Sequence, residues 1–125
     1  ANNQSIIDLI GAYDASNELH LTSPGANLST IPEYSTIADW TVKNITYFCL
    51  MDITTEQYDL IDRDQYFVDA FNFFAVADQK RKAKSLKADD IYVFKTQSGK
   101  YGILKVKSVT TGVTGFVTFD VKMQP

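Results

Sequence analysis

The chain has 125 residues, 45% hydrophobic and 13% aromatic, with 15 acidic against 12 basic side chains and a net charge of −3. That is enough apolar surface for one well-packed domain, spanning residues 1–125, and it excludes disordered, collagen-like and low-complexity classes. An acidic balance supplies no global positive field for phosphate backbones, so nucleic acid is not an expected partner.

Gln4 to Asp14 carries Ile6, Ile7, Leu9, Ile10 and Tyr13 and predicts a first strand. Leu19 and Leu21 alternate with His20 and Thr22, which predicts a short half-buried strand with His20 turned to solvent. Asn17 begins the turn before it, and Ser23-Pro24-Gly25 ends it, with Pro presetting φ and Gly free to take a positive one. From Ala26 to Asn44 no period lasts two helical turns, so a long excursion is expected, with one helical turn from Pro32 to Asp39. Ile45 to Met51 is β-branched and aromatic on both faces, the pattern of a central strand covered on both sides.

Thr54 with Gln57 forms a capping-box pattern ahead of a short helix from Thr55 to Ile61. Asp62 with Gln65 repeats the signal, and Tyr66, Ala70, Phe73, Phe74 and Ala77 then trace one helical face, widened by Phe67 and Phe71; a strand through Phe71 to Ala77 fits the same run. Ile91 to Thr96, Tyr101 to Val109 and Gly115 to Met123 are three strand-like runs joined by Gln97 to Lys100 and Thr110 to Thr114. They predict an antiparallel meander in which Val117, Phe119, Val121 and Met123 face the core. No internal repeat or linker divides the chain. The apolar stretches Ile45 to Met51 and Tyr66 to Ala77 are shorter than the roughly 20 residues that cross a bilayer. The opening Ala-Asn-Asn-Gln reads as a mature or trimmed fragment whose targeting segment was removed.

The chemistry-bearing residues are few. A single cysteine, Cys49, allows no internal disulfide, and within Tyr-Phe-Cys-Leu-Met it is expected to be an inert core thiol. A single histidine, His20, cannot pair with a second to make a metal site and reads as a surface residue. There is no Gly-x-Ser-x-Gly elbow, and Asp62 with Asp64 departs from a Ca²⁺ loop because Tyr66 and Phe67 stand where a ligand and the glycine belong. Ser98-Gly99-Lys100 lacks the earlier glycine of a phosphate loop and reads as a hairpin turn. The aspartates are assigned to capping and solvation rather than to a hydrolytic carboxylate pair. Asn44-Ile45-Thr46 and Asn27-Leu28-Ser29 match the N-glycosylation tripeptide, and Asn44 adjoins a strand expected to be buried.

Two clusters remain. Lys80, Arg81, Lys82, Lys84 and Lys87 place five of the twelve bases within eight residues that hold no acid. They read either as an anion or acidic-glycan patch or as the solvated tail of a helix, whose C-terminus favours cations. Trp40, with Tyr34, Tyr47 and Tyr13, reads either as a stacking platform for sugar rings or as core.

The run Leu86-Lys87-Ala88-Asp89-Asp90-Ile91-Tyr92-Val93-Phe94-Lys95-Thr96, followed by Gly99-Lys100-Tyr101-Gly102-Ile103-Leu104-Lys105-Val106, resembles the end of small secreted or lipid-anchored domains of Bacteroidetes. The last strand, Gly115 to Gln124, and the pattern of Ile6 to Tyr13 with Leu21-Thr22-Ser23-Pro24 are similar to the same domains. The matching residues are structural, Gly99 and Gly102 suiting the turn and close packing, so no catalytic position is implied. The resemblance implies a cell envelope, outer surface or periplasm, with any membrane contact through a lipid anchor outside this chain. Haem-capturing lipoproteins of the same bacteria also end in such strands, which brings in His20 with Met51 or Met123 as axial ligands.

The expected fold is α+β: an antiparallel sheet with a C-terminal three-stranded meander and one or two helices on one face, from about Thr55 to Ala77. The expected function is a non-enzymatic cell-envelope binding or accessory module without a cofactor, its ligand a carbohydrate or a partner protein. The alternatives are a haem or small-ligand carrier and a small hydrolase.

Overall fold

The computed structural model describes residues 3–16, 18–29, 31–74, 80–110 and 115–125, and of residues 32–34 the backbone only. The chain opens with a 3₁₀ turn, Gln4–Ile6, and becomes extended at β1, Ile10–Asp14. The strand expected from Gln4 is therefore shortened at its start. The Gln4 side chain pins this turn instead, its Oε1 accepting the Thr41 and Val42 N–H groups at 3.0 and 3.1 Å.

Next come β2, Glu18–Thr22, and a turn closed by the Ala26 N–H on the Ser23 carbonyl at 3.0 Å. Gly25 does not use a positive φ here. It is small because its backbone is pressed against residues 43–45: a β-carbon would lie 2.6 Å from Ile45 Cγ1, and its N–H donates to the Asn44 carbonyl at 2.9 Å. The helical turn expected at Pro32 is a 3₁₀ helix, Pro32–Asp39. β3, Tyr47–Leu50, leads to α1, Thr55–Asp59, whose capping box forms as its spacing predicts: Gln57 N–H donates to Thr54 Oγ1 at 3.1 Å and Thr54 N–H to Gln57 Oε1 at 2.8 Å. Then follow α2, Asp64–Phe74, β4, Lys82–Ala83, β5, Ile91–Lys95, β6, Tyr101–Thr110, and β7, Phe116–Met123.

The strands form two antiparallel sheets, one ordered β1-β2-β4 and the other β3-β5-β6-β7. The C-terminal meander is present as β5, β6 and β7. Its first turn places Gly99 at φ 88°, and the Thr96 N–H donates to the Lys100 carbonyl at 2.9 Å. The second connection includes residues 111–114, which lie outside the described set. Alternation along β5 sends Ile91 and Val93 to one face of the larger sheet and Tyr92 and Phe94 to the other, and both faces are buried. The first face packs with Cys49, Met51 and Ile103 against Tyr58, Phe67, Ala70 and Phe71 of the helices. The second packs with Phe48, Leu104 and Val106 against Leu21, Ala83 and Leu86. Each buried phenylalanine contributes about 1.5–3 kcal/mol by area removed from water.

Four expectations change. β3 is covered on both faces but is the terminal strand of its sheet, with one bridge beyond it, Phe48 to Lys80, because its partners arrive from distant sequence. On α2 the buried stripe is Phe67, Ala70 and Phe71, with Phe74 half-buried, while Tyr66 is exposed and Phe73 is 75% exposed; Ala77 lies outside the described residues. The helix is turned so that the wider flank of its apolar arc meets the sheet. On β7, Val117 and Phe119 pack against the core but Val121 and Met123 are exposed, since the smaller sheet does not extend over that end. His20 is not on the surface. β2 is the middle strand of its sheet, every residue from Leu19 to Thr22 is buried, and His20 is 0% exposed.

The other face of β7 ties down α1. Lys122 Nζ donates to the Tyr58, Asp59 and Ile61 carbonyls at 2.8, 3.2 and 3.0 Å, satisfying the orphan acceptors at the end of the helix. The same ammonium lies 4.6 Å from the Tyr58 ring centroid, and Lys105 Nζ lies 5.1 Å from it. Lys122→Met keeps the stem and removes the charge, and is expected to cost about 1.5–3 kcal/mol in urea unfolding; a loss below a few tenths would show that water replaces the ammonium. Gly102 lies opposite Phe94, and a β-carbon there would be 2.5 Å from Phe94 Cζ and 2.9 Å from the Lys122 carbonyl oxygen. Gly102→Ala is expected to destabilise by about 1–3 kcal/mol in the same assay, and an unchanged midpoint would contradict this packing.

Candidate functional site

The basic run forms the strap between the two sheets. It is extended rather than the tail of a helix. Lys80 exchanges backbone hydrogen bonds with Phe48, its N–H donating to the Phe48 carbonyl at 3.3 Å and its carbonyl accepting the Phe48 N–H at 2.6 Å. The chain bends at Arg81, and β4 then pairs with β2 in the other sheet, Leu21 opposite Ala83 and Thr22 opposite Lys82. Successive side chains of an extended segment point to opposite sides. Ala83 enters the core at 0% exposure, Leu86 follows it, and Lys82 and Lys84 point away.

Lys80, Lys82 and Lys84 consequently line one cleft of about 380 Å³, whose remaining walls are Phe48, Cys49, Leu50 and Tyr92. Arg81 and Lys87 are turned elsewhere. Arg81 Nη1 donates to the Gly25 carbonyl at 3.2 Å, and Lys87 N–H donates to Asp90 Oδ2 at 3.0 Å while its side chain is exposed. The five-residue basic cluster thus divides into three lysines that share a site and two bases that do not.

The cleft's electrostatics follow from its half-buried setting. Burial lowers the Lys82 ammonium pKa from its ordinary value; Asp14 opposes that shift and Lys84 adds to it. Burial, with Asp90 and Cys49 nearby, pushes the Tyr92 hydroxyl up to about 12, so it stays a neutral phenol. Among the described residues no histidine or carboxylate lines the cleft. Its chemistry is that of a cationic rim over an apolar floor: it can neutralise an anion and cover an apolar surface.

Of the expected aromatic platform, the described residues lie in different parts of the fold. Trp40 is half-buried at the end of the 3₁₀ helix, Tyr47 packs against the core between the larger sheet and the helices, and Tyr13 lines a groove between the smaller sheet and β7. The Tyr34 side chain lies outside the described set, and among the described residues no ring contact joins Trp40 to Tyr47 or Tyr13. The proposed haem ligands are also apart: Met51 belongs to the helix-side core, Met123 is exposed at the end of β7, and His20 is enclosed in the smaller sheet. Cys49 is buried and its thiol donates to the Phe74 carbonyl at 2.8 Å. Asn44 is buried, its Nδ2 donating to the Ser5 carbonyl and Asp8 Oδ1, so that side chain is structural. A hollow of similar size lies within residues 24–43, but its only charge among the described residues, Lys43, already donates to the Ala38 carbonyl at 2.8 Å.

The sequence marked the lysines but not Leu50 and Tyr92, the walls that turn a charged stripe into a cleft. They are cross-strand partners in the β3–β5 ladder, across 42 positions of chain, and no local pattern reports that register. No family model, curated protein or solved structure matches the chain.

His20, behind the strap, sets a pH dependence. Its Nδ1 lies 2.8 Å from the Glu18 carbonyl, and its Nε2 has no hydrogen-bond partner among the described residues. Burial lowers its pKa below the ordinary 6.5, against the raising influence of the Glu18 carbonyl and Asp14. The unfolded chain therefore takes up a proton at a higher pH than the native one, so the stability from neutral His20 is present above pH 6.5 and declines as pH falls below it. Between about pH 7.5 and about pH 5 the wild-type urea midpoint is expected to fall further than that of His20→Gln; parallel declines would refute a proton-linked role.

Proposed function

We propose that this domain is a non-enzymatic binding module of a cell envelope and that its ligand is an acidic glycan held in the Lys80–Lys82–Lys84 cleft. The observation that carries the reading is the convergence of three ammonium groups on one apolar-floored cleft in a chain whose net charge is −3. Lysine suits this role because three rotatable donors on a flexible stem follow sulfate or carboxylate groups without a fixed geometry. Leu50, exposed beside the edge of Tyr92, offers an apolar surface against which the C–H face of a sugar ring packs. The envelope setting is supported by the resemblance of residues 86–106 to small secreted and lipid-anchored domains.

A sulfated disaccharide is expected to bind in titration calorimetry and a neutral disaccharide of the same linkage is not. Affinity should fall as salt rises. Lys82→Gln combined with Lys84→Gln should weaken binding by about tenfold or more, each charged hydrogen bond contributing about 1.5–3 kcal/mol. Equal binding by wild type and double variant, with both folded by thermal melt, would remove the cleft as the site.

A further inference from the structure

His20 lies on β2, the strand that pairs with the lysine-bearing β4. The ladder pairs Leu21 with Ala83 and Thr22 with Lys82, so His20, two residues before Thr22 on β2, shares the strand face that sets Thr22 beside Lys82. The ring is completely buried, with Nδ1 against the Glu18 carbonyl and Nε2 without a hydrogen-bond partner among the described residues. That arrangement assigns the proton to Nδ1 and leaves a bare acceptor lone pair on Nε2. The charged groups that face the imidazole are Asp14 from β1 and Lys82 and Lys84 from the strap. Two of the three cations that line the cleft thus also repel any proton on His20, and Asp14 attracts one.

We propose that anion binding in the lysine cleft is coupled to uptake of one solvent proton at His20 Nε2, so that the cleft holds its ligand more tightly in mildly acidic solution. The proposal rests on the reading of the cleft as an anion site. An anion placed against Lys82 and Lys84 offsets the field they exert on the imidazole and leaves the attraction of Asp14 in force. The only bond formed is Nε2–H. Linkage is reciprocal: if the anion favours the proton, the proton favours the anion by the same factor. Because the imidazole is buried, its interaction with an anion on the lysines is screened less than that of two surface charges.

The test uses the whole chain and a sulfated disaccharide, whose sulfate esters stay ionised throughout, so the ligand itself contributes no proton. Wild-type affinity is expected to rise about three- to tenfold from about pH 7.5 to about pH 5.5, and His20→Gln is expected to lose that slope. The chain's single histidine gives one imidazole C2–H resonance, and its titration midpoint should move to higher pH when the disaccharide is present. This readout needs no variant and so survives a failure of His20→Gln to fold. Binding with the same pH profile in both proteins, or an unmoved midpoint under saturating disaccharide, overturns the coupling and leaves the anion site standing. Absence of binding in the wild type at both pH values overturns the site and the coupling together.

Discussion

The strap of residues 80–86 is the constraint on which the rest of the structure depends. One end bridges Phe48 in the larger sheet, its middle pairs with β2 in the smaller one, and its far end donates from the Leu86 N–H to the Leu19 carbonyl at 3.1 Å. The Ser23 N–H adds a further bond to the Arg81 carbonyl at 2.9 Å. Ala83 and Leu86 complete the core between the sheets, and that burial requires Lys82 and Lys84 to point outward. The charged cleft is therefore a geometric consequence of closing the core, since one segment supplies both the seal and the lysines.

The same economy holds at the other end of the molecule. Lys122 sits on β7, one position from the apolar residues that alternate with it, and its ammonium supplies the acceptors at the end of α1 with a donor. Tyr58 lies between that ammonium and Lys105, and burial with Asp120 and Asp59 nearby pushes its hydroxyl up to about 12. A five-residue helix is too short to persist by its own hydrogen bonds. It is held by a capping box at one end, a lysine from the sheet at the other, and the burial of Tyr58 between them.

The proposed function rests on the cationic cleft. Its floor is built by β3 and β5 and its rim by the strap, so a ligand there would touch both sheets. Occupancy is thereby connected to the pairing of β2 with β4 and to the buried histidine on β2. The proposed cleft, core closure and a titratable group share a few strand residues, and the proposed coupling of proton and anion rests on that sharing.

Local signals determined the elements whose causes are local. The Thr54–Gln57 spacing specifies a helix start, Gln97-Ser98-Gly99-Lys100 specifies a hairpin turn, and the run Ile91 to Thr96 specifies a strand. The density of bases between Lys80 and Lys87 is equally legible, as is the inert setting of Cys49. Tertiary structure alone decided that β3 ends its sheet, that Phe67 and Phe71 rather than Tyr66 and Phe73 meet the core, that His20 is enclosed, and that three of five bases share a cleft. Each of these depends on pairing between segments distant in the chain. Period and propensity report which side chains share a face, whereas what covers that face is set by a partner strand or helix that local sequence does not encode.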